Sequence, residues 1–228
     1  MKTKIALLLL SASSLMWSCQ DFLEEPSDVS GQTEAVVFST IETAEQVLAA
    51  PYSSLPWGWP CLNGNGAWSQ GILIYFAPIS TASDEADTAL EGGYNFVHPQ
   101  YHEGLLTAGT INPYREDKWD YDWFAIRNAW YFYDKVDMVN DGTPQSYINQ
   151  RKAEALGLVA QRYYEMFKRY GGLPWIDHYI TMGESIDMSR MSITRTVDSI
   201  CSLLDRAIAM PELPERNAVN EFGRVNKV

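Results

Sequence analysis

Residues 152–176, KAEALGLVAQRYYEMFKRYGGLPWI, predict a long amphipathic helix with a firm end. Apolar residues recur there at steps of three and four, which is one face of a 3.6-residue period; they are Ala153, Leu156, Ala160, Tyr163, Tyr164, Phe167 and Tyr170. The other face is filled by polar and charged residues: Lys152, Glu154, Gln161, Arg162, Glu165, Lys168 and Arg169. Gly171 and Gly172 supply a left-handed C-cap, and Pro174 prevents the helix from resuming.

The preceding residues, 120–139, predict the helix that pairs with this stretch. Their apolar stripe has helical spacing and consists of Trp123, Ile126, Trp130, Tyr133 and Val136. Asn140-Asp141-Gly142 ends the helix, so only a short turn separates the two helices. Such a turn favours an antiparallel hairpin. The small residues Ala153, Gly157 and Ala160 allow close approach of the two helices, and most of the aromatic stripe is then expected in the core.

Two further helices flank this pair. Residues 40–55 have helical periodicity, with Thr40 or Ser39 as the N-cap, and Pro51 is expected to kink or end the helix. Ser192 caps a helix that stops at Pro211 and has a wide apolar face: Ile193, Val197, Ile200, Cys201, Leu204, Ala207 and Ile208. A face this wide needs a partner, so we expect the sequence to be cut from a longer domain. The apolar run within residues 71–80 favours a buried helix.

Composition excludes several classes of function. The 228 residues suffice for one sizeable domain or two small ones, and 46% hydrophobic content supports a real core. A net charge of −12 argues against nucleic-acid binding and against a basic contact with anionic lipid. Aromatic residues make up 13% of the chain, which indicates either a heavily aromatic core, the favoured interpretation, or a surface that stacks on sugar rings.

The N-terminus has the pattern of a targeting signal. Lys2 and Lys4 precede an apolar run that is too short to span a bilayer, and the run ends at Ser18-Cys19. We interpret residues 1–18 as a lipoprotein signal peptide, residues 19–39 as a lipidated tether and residues 40–228 as the domain. Cys19 would carry the lipid, and several acyl chains give stable anchoring. The alternative is an ordinary secretory signal with an incidental cysteine.

The other two cysteines are Cys61 and Cys201. An oxidising envelope would permit a bridge between them. Cys201 lies on the apolar face of its helix, which favours a buried free thiol.

Candidate ligand-binding residues lie in two irregular stretches, 56–71 and 83–119. Sugar recognition needs flat aromatic platforms and planar hydrogen-bonding groups, and these stretches supply both: Asp84, Tyr94, Asn95, Tyr101, Trp119 and Trp68. Each of these residues taken alone is more often a packing residue than a ligand contact.

Catalytic and metal-site interpretations are weaker. His98 and His102 lie near Glu103, but Pro99 follows His98 directly and no third ligand is suitably spaced. The clustered acids Asp84, Glu85, Asp87 and Glu91 come from one loop, whereas glycosidase carboxylates face each other across a cleft. We therefore expect neither an enzyme nor a cofactor.

Taken in order, several motifs resemble the N-terminal half of the SusD/RagB family of Bacteroidetes outer-membrane nutrient-binding lipoproteins. They are CQDFLEEP at residues 19–26, SDEA at 83–86, the helix at 123–137, KAEA with YY and YGGLP within 152–174, Arg190 with Ser192 and Ile193, and Gly223-Arg224. The set is specific although no single motif is. Leu156-Gly157 departs from the family, which has Arg-Ala or Arg-Phe after the KAEA box.

The resemblance implies an all-α fold: a tetratricopeptide-like helical repeat superhelix with long irregular loops, truncated here before its C-terminal half. It also implies a lipoprotein of the outer membrane surface, anchored through an acylated Cys19. Such a protein captures oligosaccharides for a TonB-dependent SusC-like transporter in polysaccharide uptake, without catalysis. The alternative function is a helical-repeat scaffold that docks to the transporter or to another outer-membrane protein. The sequence does not identify the glycan.

Overall fold

A computed structural model describes residues 33–55, 84, 107, 118–185 and 188–227. These residues form α1 (Glu34–Val37), α2 (Ile41–Ser53), α3 (Trp119–Lys135), α4 (Gln145–Tyr170) and α5 (Ile193–Ala209), with 3₁₀ turns at Val136–Met138 and Val219–Glu221. The described residues contain no strand, and the predicted all-α class is confirmed. None of the described helices is both long and apolar enough to cross a membrane. The prediction for residues 71–80 falls outside the described residues.

The predicted boundaries of α2 hold. Thr40, not Ser39, is the N-cap: its backbone is extended and its hydroxyl oxygen accepts from the Thr43 N–H at 3.3 Å. Pro51 lies inside the last turn, and the helix ends soon afterwards at Ser53. Ala44 and Leu48 are buried and point α2 toward the rest of the core.

Helices α3 and α4 form the predicted antiparallel hairpin. Side-chain contacts pair the helices in reverse order: Trp119 with Tyr170, Trp123 with Tyr163, and Asp137 with Lys152. The turn between them passes through Gly142 at φ +88°, a conformation that glycine adopts without strain.

Helix α4 lies at the centre of the described fold and packs against α2, α3 and α5. Two apolar clusters meet along it, one with α3 and α5 and the other with α2 and α3. Part of its polar face is therefore not exposed to solvent: Arg151, Glu154 and Arg162 are 1%, 0% and 3% exposed. α2 and the C-terminal segment, residues 218–227, cover Arg151 and Glu154 and supply charged partners, whereas Arg162 pairs with Asp122 of α3 at 3.3 Å.

The two glycines that end α4 have different roles. Gly171 has the positive φ expected of the predicted left-handed cap, +71°, but its ψ of −132° lies outside the left-handed helical region. Its N–H donates to the Phe167 carbonyl at 3.0 Å. Gly172 instead permits close packing, because a Cβ at this position would lie 2.1 Å from the backbone oxygen of Met191. Gly171 thus ends α4, and Gly172 leaves space for the Met191 backbone just before α5.

Helix α5 begins at its predicted cap, where the Ser192 hydroxyl oxygen accepts from the Arg195 N–H at 3.3 Å. Only one strip of the helix is buried against α4: Thr196, Ile200, Leu203 and Ala207. The expectation of a buried thiol at Cys201 is wrong, since Cys201 is free and exposed. The apolar face of α5 is wider than its contact with α4, which leaves Cys201 outside the buried strip. The other cysteine, Cys61, lies outside the described residues.

Gly157, one of the two residues that depart from the resemblance after the KAEA box, leaves room for the C-terminal segment. A Cβ on Gly157 would lie 2.7 Å from Cγ1 of Val225. The missing side chain therefore forms a slot in α4 that holds Val225 of the C-terminal segment. Leu156, the other departing residue, is buried in the core cluster between α3, α4 and α5.

Candidate ligand-binding site

Trp119, one of the predicted ligand-binding residues, is the first residue of α3 and lies half-buried at the edge of the core. Its ring makes edge contacts with Tyr170 at 5.1 Å and with Trp123 at 5.6 Å between centroids. The Arg190 guanidinium lies over the ring, 5.4 Å from its centroid. Trp119 is therefore held by neighbours on several sides.

Hydrogen bonds fix these neighbours in place. The Tyr170 hydroxyl accepts from the backbone N–H of Lys118 at 2.8 Å. Arg190 donates to the carbonyl oxygens of Tyr170 at 2.8 Å and Gly172 at 3.2 Å. The result is an oriented indole beside an oriented guanidinium, which are groups suited to the C–H face and the hydroxyls of a sugar. The role of Trp119 in binding stays a prediction.

Several other aromatic residues of the hairpin belong to the core, whereas Phe124 of α3 is 56% exposed. Tyr163 stacks on Trp175 at 4.3 Å and meets Trp123 edge-on at 5.8 Å. The Tyr163 hydroxyl accepts from the Ile176 N–H at 2.8 Å and donates to the Ile176 carbonyl at 3.1 Å. Burial raises the pKa of Tyr163. The prediction that this stripe is mostly core is thus confirmed, with the half-exposed Tyr164 as an exception.

Only two members of the predicted ligand-binding set lie within the described residues. Asp84 is exposed, and no described hydrogen bond or ion pair joins it to Trp119. Tyr94, Asn95, Tyr101 and Trp68 lie outside the described residues, as do Cys19 and the clustered acids after Asp84. The proposed grouping of these residues stays a prediction.

A cavity that sequence reasoning missed lies between α2 and the C-terminal segment. Its volume is about 280 Å³, and it is lined by Glu45, Leu48, Ala49, Tyr52, Phe222, Gly223 and Arg224. Phe222 is 94% exposed, and Gly223 has φ +90°, a turn that suits glycine. The Gly223-Arg224 motif was the only sequence signal for this place, and it did not indicate which residues of α2 would face it.

An ionic network lies beside this cavity and shares two lining residues with it, Glu45 and Arg224. Arg151 is buried and pairs with Glu154, with Glu221 and, through Nε, with Oε1 of Glu45 at 2.6 Å. Arg224 adds a contact of 2.9 Å to Glu154 and a longer one of 3.5 Å to Glu45. Burial opposes the charge on Arg151, but its hydrogen bond to Glu221 and the charge of Glu154 together raise the pKa of the guanidinium.

Tyr52 connects the cavity to this network. Its hydroxyl donates to Oε2 of Glu154 at 2.8 Å and accepts from the Val225 N–H at 3.0 Å. Burial first, and then the charge of Glu154, raise the pKa of Tyr52. The Arg224–Glu45 contact, at 3.5 Å, is longer than the Arg151–Glu45 contact at 2.6 Å and the Arg224–Glu154 contact at 2.9 Å.

Among the described residues, no group of three or more His, Cys, Asp or Glu side chains is arranged to hold a metal ion. His98, His102 and Glu103 lie outside those residues. Their weak metal-site pattern stays untested.

His178 is expected to titrate far above its ordinary range. Its Nδ1 lies 2.9 Å from Asp177 Oδ1 and its Nε2 lies 2.6 Å from Glu184 Oε1. The hydrogen bond to Asp177 and then that to Glu184 raise the pKa of His178 to about 9. Because the folded-state pKa exceeds the unfolded-state value of about 6.5, the stabilisation is fully present below that pH and is lost as the pH rises through about 9.

An NMR titration of the imidazole signals checks this prediction. His178→Gln identifies the His178 signal among the three histidines of the chain. Glu184→Gln should lower the pKa of His178. A titration midpoint of His178 near pH 6.5 in the wild-type chain would contradict the contacts of His178 with Asp177 and Glu184.

Comparisons with known proteins place this geometry in a known fold. No protein-family model matches the chain, and no curated protein matches its sequence. Among solved structures, a SusD-like protein from Bacteroides fragilis is 23% identical with a TM-score of 0.62, over 84% of this chain and 33% of that one. A structure described as a laminarin-binding SusD-like protein is 18% identical with a TM-score of 0.62, over 83% and 38% of the two chains.

A third solved structure, a surface glycan-binding protein A from Bacteroides thetaiotaomicron, is 16% identical with a TM-score of 0.56, over 83% of this chain and 36% of that one. The chain thus spans about a third of the length of the solved structures that it matches. At these identities the likeness establishes a shared backbone arrangement.

Proposed function

We propose that the SusD-like fold of this chain serves to bind an oligosaccharide without chemical conversion. The observation that carries this proposal is that two solved structures with the same fold are described as laminarin-binding and surface glycan-binding proteins. The net charge of −12 adds support, because it favours a neutral ligand over a polyanion.

Two places in the described residues supply chemistry for such a ligand. The first is Trp119 with Arg190, where a guanidinium lies over an indole ring. The second is the cavity beneath Phe222, where an exposed ring lies beside Arg224 and Glu45. Each combines an apolar platform with planar polar groups that match vicinal hydroxyls. We assign ligand contact to Trp119 first, since the sequence had already indicated it.

The cellular part of the proposal is a lipoprotein of the outer membrane surface that delivers glycan to a TonB-dependent SusC-like transporter. Its support is the Ser18-Cys19 signal pattern together with the ordered family motifs. The lipid on Cys19 would hold the protein at the membrane. The tether would lie between Cys19 and α1, since α1 (Glu34–Val37) and the buried Phe38 already belong to the folded domain, which therefore begins before the predicted residue 40.

Affinity electrophoresis of the full chain through gels that contain polysaccharides tests the ligand. We expect retardation in at least one glucan or other neutral glycan, laminarin included, with no release of reducing ends. Trp119→Ala should weaken retention about fivefold, because a sugar-stacking ring contributes on the order of 1 kcal/mol.

The matched control for Trp119→Ala is Phe124→Ala, which removes an exposed ring of α3 outside both places. It should leave retention unchanged, and thermal unfolding of both variants should establish that the fold persists. A chain that no polysaccharide retards would overturn the glycan proposal.

Metabolic labelling with palmitate tests the lipid anchor. We expect labelling of the wild-type protein in a Bacteroides host and its complete loss in Cys19→Ala, because the thiol is the acylation site. Cys201→Ala is the matched control, since it removes an exposed thiol within the domain. Labelling that persists in Cys19→Ala would sink the anchor assignment.

A further inference from the structure

Asp122 of α3 and Arg162 of α4 form a buried ion pair between the two helices. Their side chains are almost fully buried, and Nη1 of Arg162 lies 3.3 Å from Oδ1 of Asp122. That distance is longer than the ~2.7–2.9 Å typical of a charge-assisted hydrogen bond. The contact is also single, whereas a guanidinium and a carboxylate can form two parallel hydrogen bonds. The pair therefore uses only part of the hydrogen-bonding capacity of its two members.

The end of α2 holds the guanidinium in this position. Nη2 of Arg162 donates to the Pro51 carbonyl oxygen at 3.2 Å, within the last turn of α2. Carbonyl groups in the last turn of a helix have no donor within the helix, and a cation beside them is stabilising. Because one terminal nitrogen of Arg162 is bound to α2, only the other one is left for Asp122.

Two buried polar atoms of the pair have no hydrogen-bond partner among the described residues: Oδ2 of Asp122 and Nε of Arg162. Glu165 lies three residues after Arg162, but its carboxylate oxygens accept from Lys168 at 2.8 Å and from Arg169 at 3.0 Å. Burial raises the pKa of Asp122 in spite of the Arg162 charge, and burial lowers the pKa of Arg162 in spite of Asp122. The two charges thus do not compensate each other for their loss of hydration, and such unsatisfied groups are costly.

We propose that the Asp122–Arg162 pair is an internal water site at the junction of α2, α3 and α4. Water meets both needs of the pair, since it can donate to a carboxylate oxygen and accept from a guanidinium N–H. Buried water in proteins occurs where it bonds to otherwise unsatisfied polar groups, and two such atoms define a site for about one or two molecules. The site lies between packed helices, so it depends neither on what covers an exposed face nor on the glycan proposal.

Magnetic relaxation dispersion of the water signal tests this site on the full chain, because it counts the water molecules that are held inside a protein. We expect the double variant D122L/R162M to lose about one or two held waters relative to the wild-type chain. This variant should fold, since exchanging a buried ion pair for apolar side chains of similar volume is often neutral or stabilising. The Pro51 carbonyl keeps a donor in the variant, the Ser54 hydroxyl at 2.9 Å.

The matched control is K152M, which removes a charge of the same helix whose partner, Asp137, is half-exposed. It should keep the wild-type number of held waters, and circular dichroism should establish that both variants fold. A high-resolution crystal structure of the wild-type chain gives a second measurement that needs no variant. We expect it to show water within hydrogen-bonding distance of Oδ2 of Asp122 and of Nε of Arg162.

Three results would overturn the proposal. The first is an equal number of held waters in the wild-type chain and in folded D122L/R162M. The second is a crystal structure in which Arg162 closes onto Asp122 through two direct hydrogen bonds, with no water at either atom. The third is a side chain from elsewhere in the chain bonded to Oδ2 of Asp122 or to Nε of Arg162. None of these readouts involves a glycan, so failure here leaves the glycan proposal standing.

Discussion

Arg151→Met is expected to destabilise the fold by about 3 kcal/mol, because it leaves buried carboxylates without their cation. Arg151 is 1% exposed and contacts Glu45, Glu154 and Glu221. We expect the low end of the range for a broken buried pair, since Arg224 remains 2.9 Å from Glu154 after the change. Methionine has a similar length and keeps the apolar part of the packing.

Urea unfolding followed by circular dichroism measures this effect. The matched control is Lys152→Met, which removes the next residue of α4 and its contact of 2.6 Å with Asp137, a residue that is half-exposed. An exposed pair is worth at most about 1 kcal/mol. If Arg151→Met lowers the free energy of unfolding no more than Lys152→Met does, the ion pairs of Arg151 do not hold the C-terminal segment in place.

Gly172→Ala is expected to cost a similar amount, about 3 kcal/mol, for a steric reason. The new Cβ would lie 2.1 Å from the Met191 backbone oxygen, and a backbone group cannot rotate out of the way. The end of α4 would have to separate from the start of α5. That movement strains the Met191 N–H bond to the Leu173 carbonyl at 2.9 Å and the Leu173 N–H bond to the Thr196 hydroxyl at 3.3 Å.

Thermal unfolding measures the loss, with an expected fall in midpoint of about 6–12 °C for a chain of this size. The control is Gly183→Ala, where φ is +84° but the space is open. It should cost only the roughly 1–2 kcal/mol of left-handed backbone strain. If Gly172→Ala and Gly183→Ala lower the midpoint equally, the backbone conformation at residue 172 requires glycine, and the contact with Met191 does not.

Local patterns in the sequence were sufficient to predict the helices. Periodicity and caps located α2, α4 and α5 and their ends, because the capping hydroxyls of Thr40 and Ser192 act within a few residues of themselves. The ordered motifs indicated a SusD-like fold, and this prediction is confirmed.

Local patterns could not predict contacts between residues that are far apart in the sequence. Arg151 and Glu154 of α4 are buried because they meet Glu45 and Arg224, which no local period connects to them. Gly172 appeared to be half of a helix cap, since its neighbour Met191 becomes close only after the chain turns. The same limit hid the cavity between α2 and Phe222, which is the feature of the candidate site that sequence reasoning missed.

The slot at Gly157 has a consequence for the order of folding. Val225 fills it and also donates its N–H to the Tyr52 hydroxyl, a bond that spans 173 positions of the chain. During synthesis α2, α3 and α4 emerge before residue 225 and can pack against one another, which leaves only the slot at Gly157 and the charges of Arg151 and Glu154 uncovered. The loop still to be closed then runs from the end of α4 to residue 225. The C-terminal segment is therefore expected to join the fold after these three helices and to detach before them under denaturant.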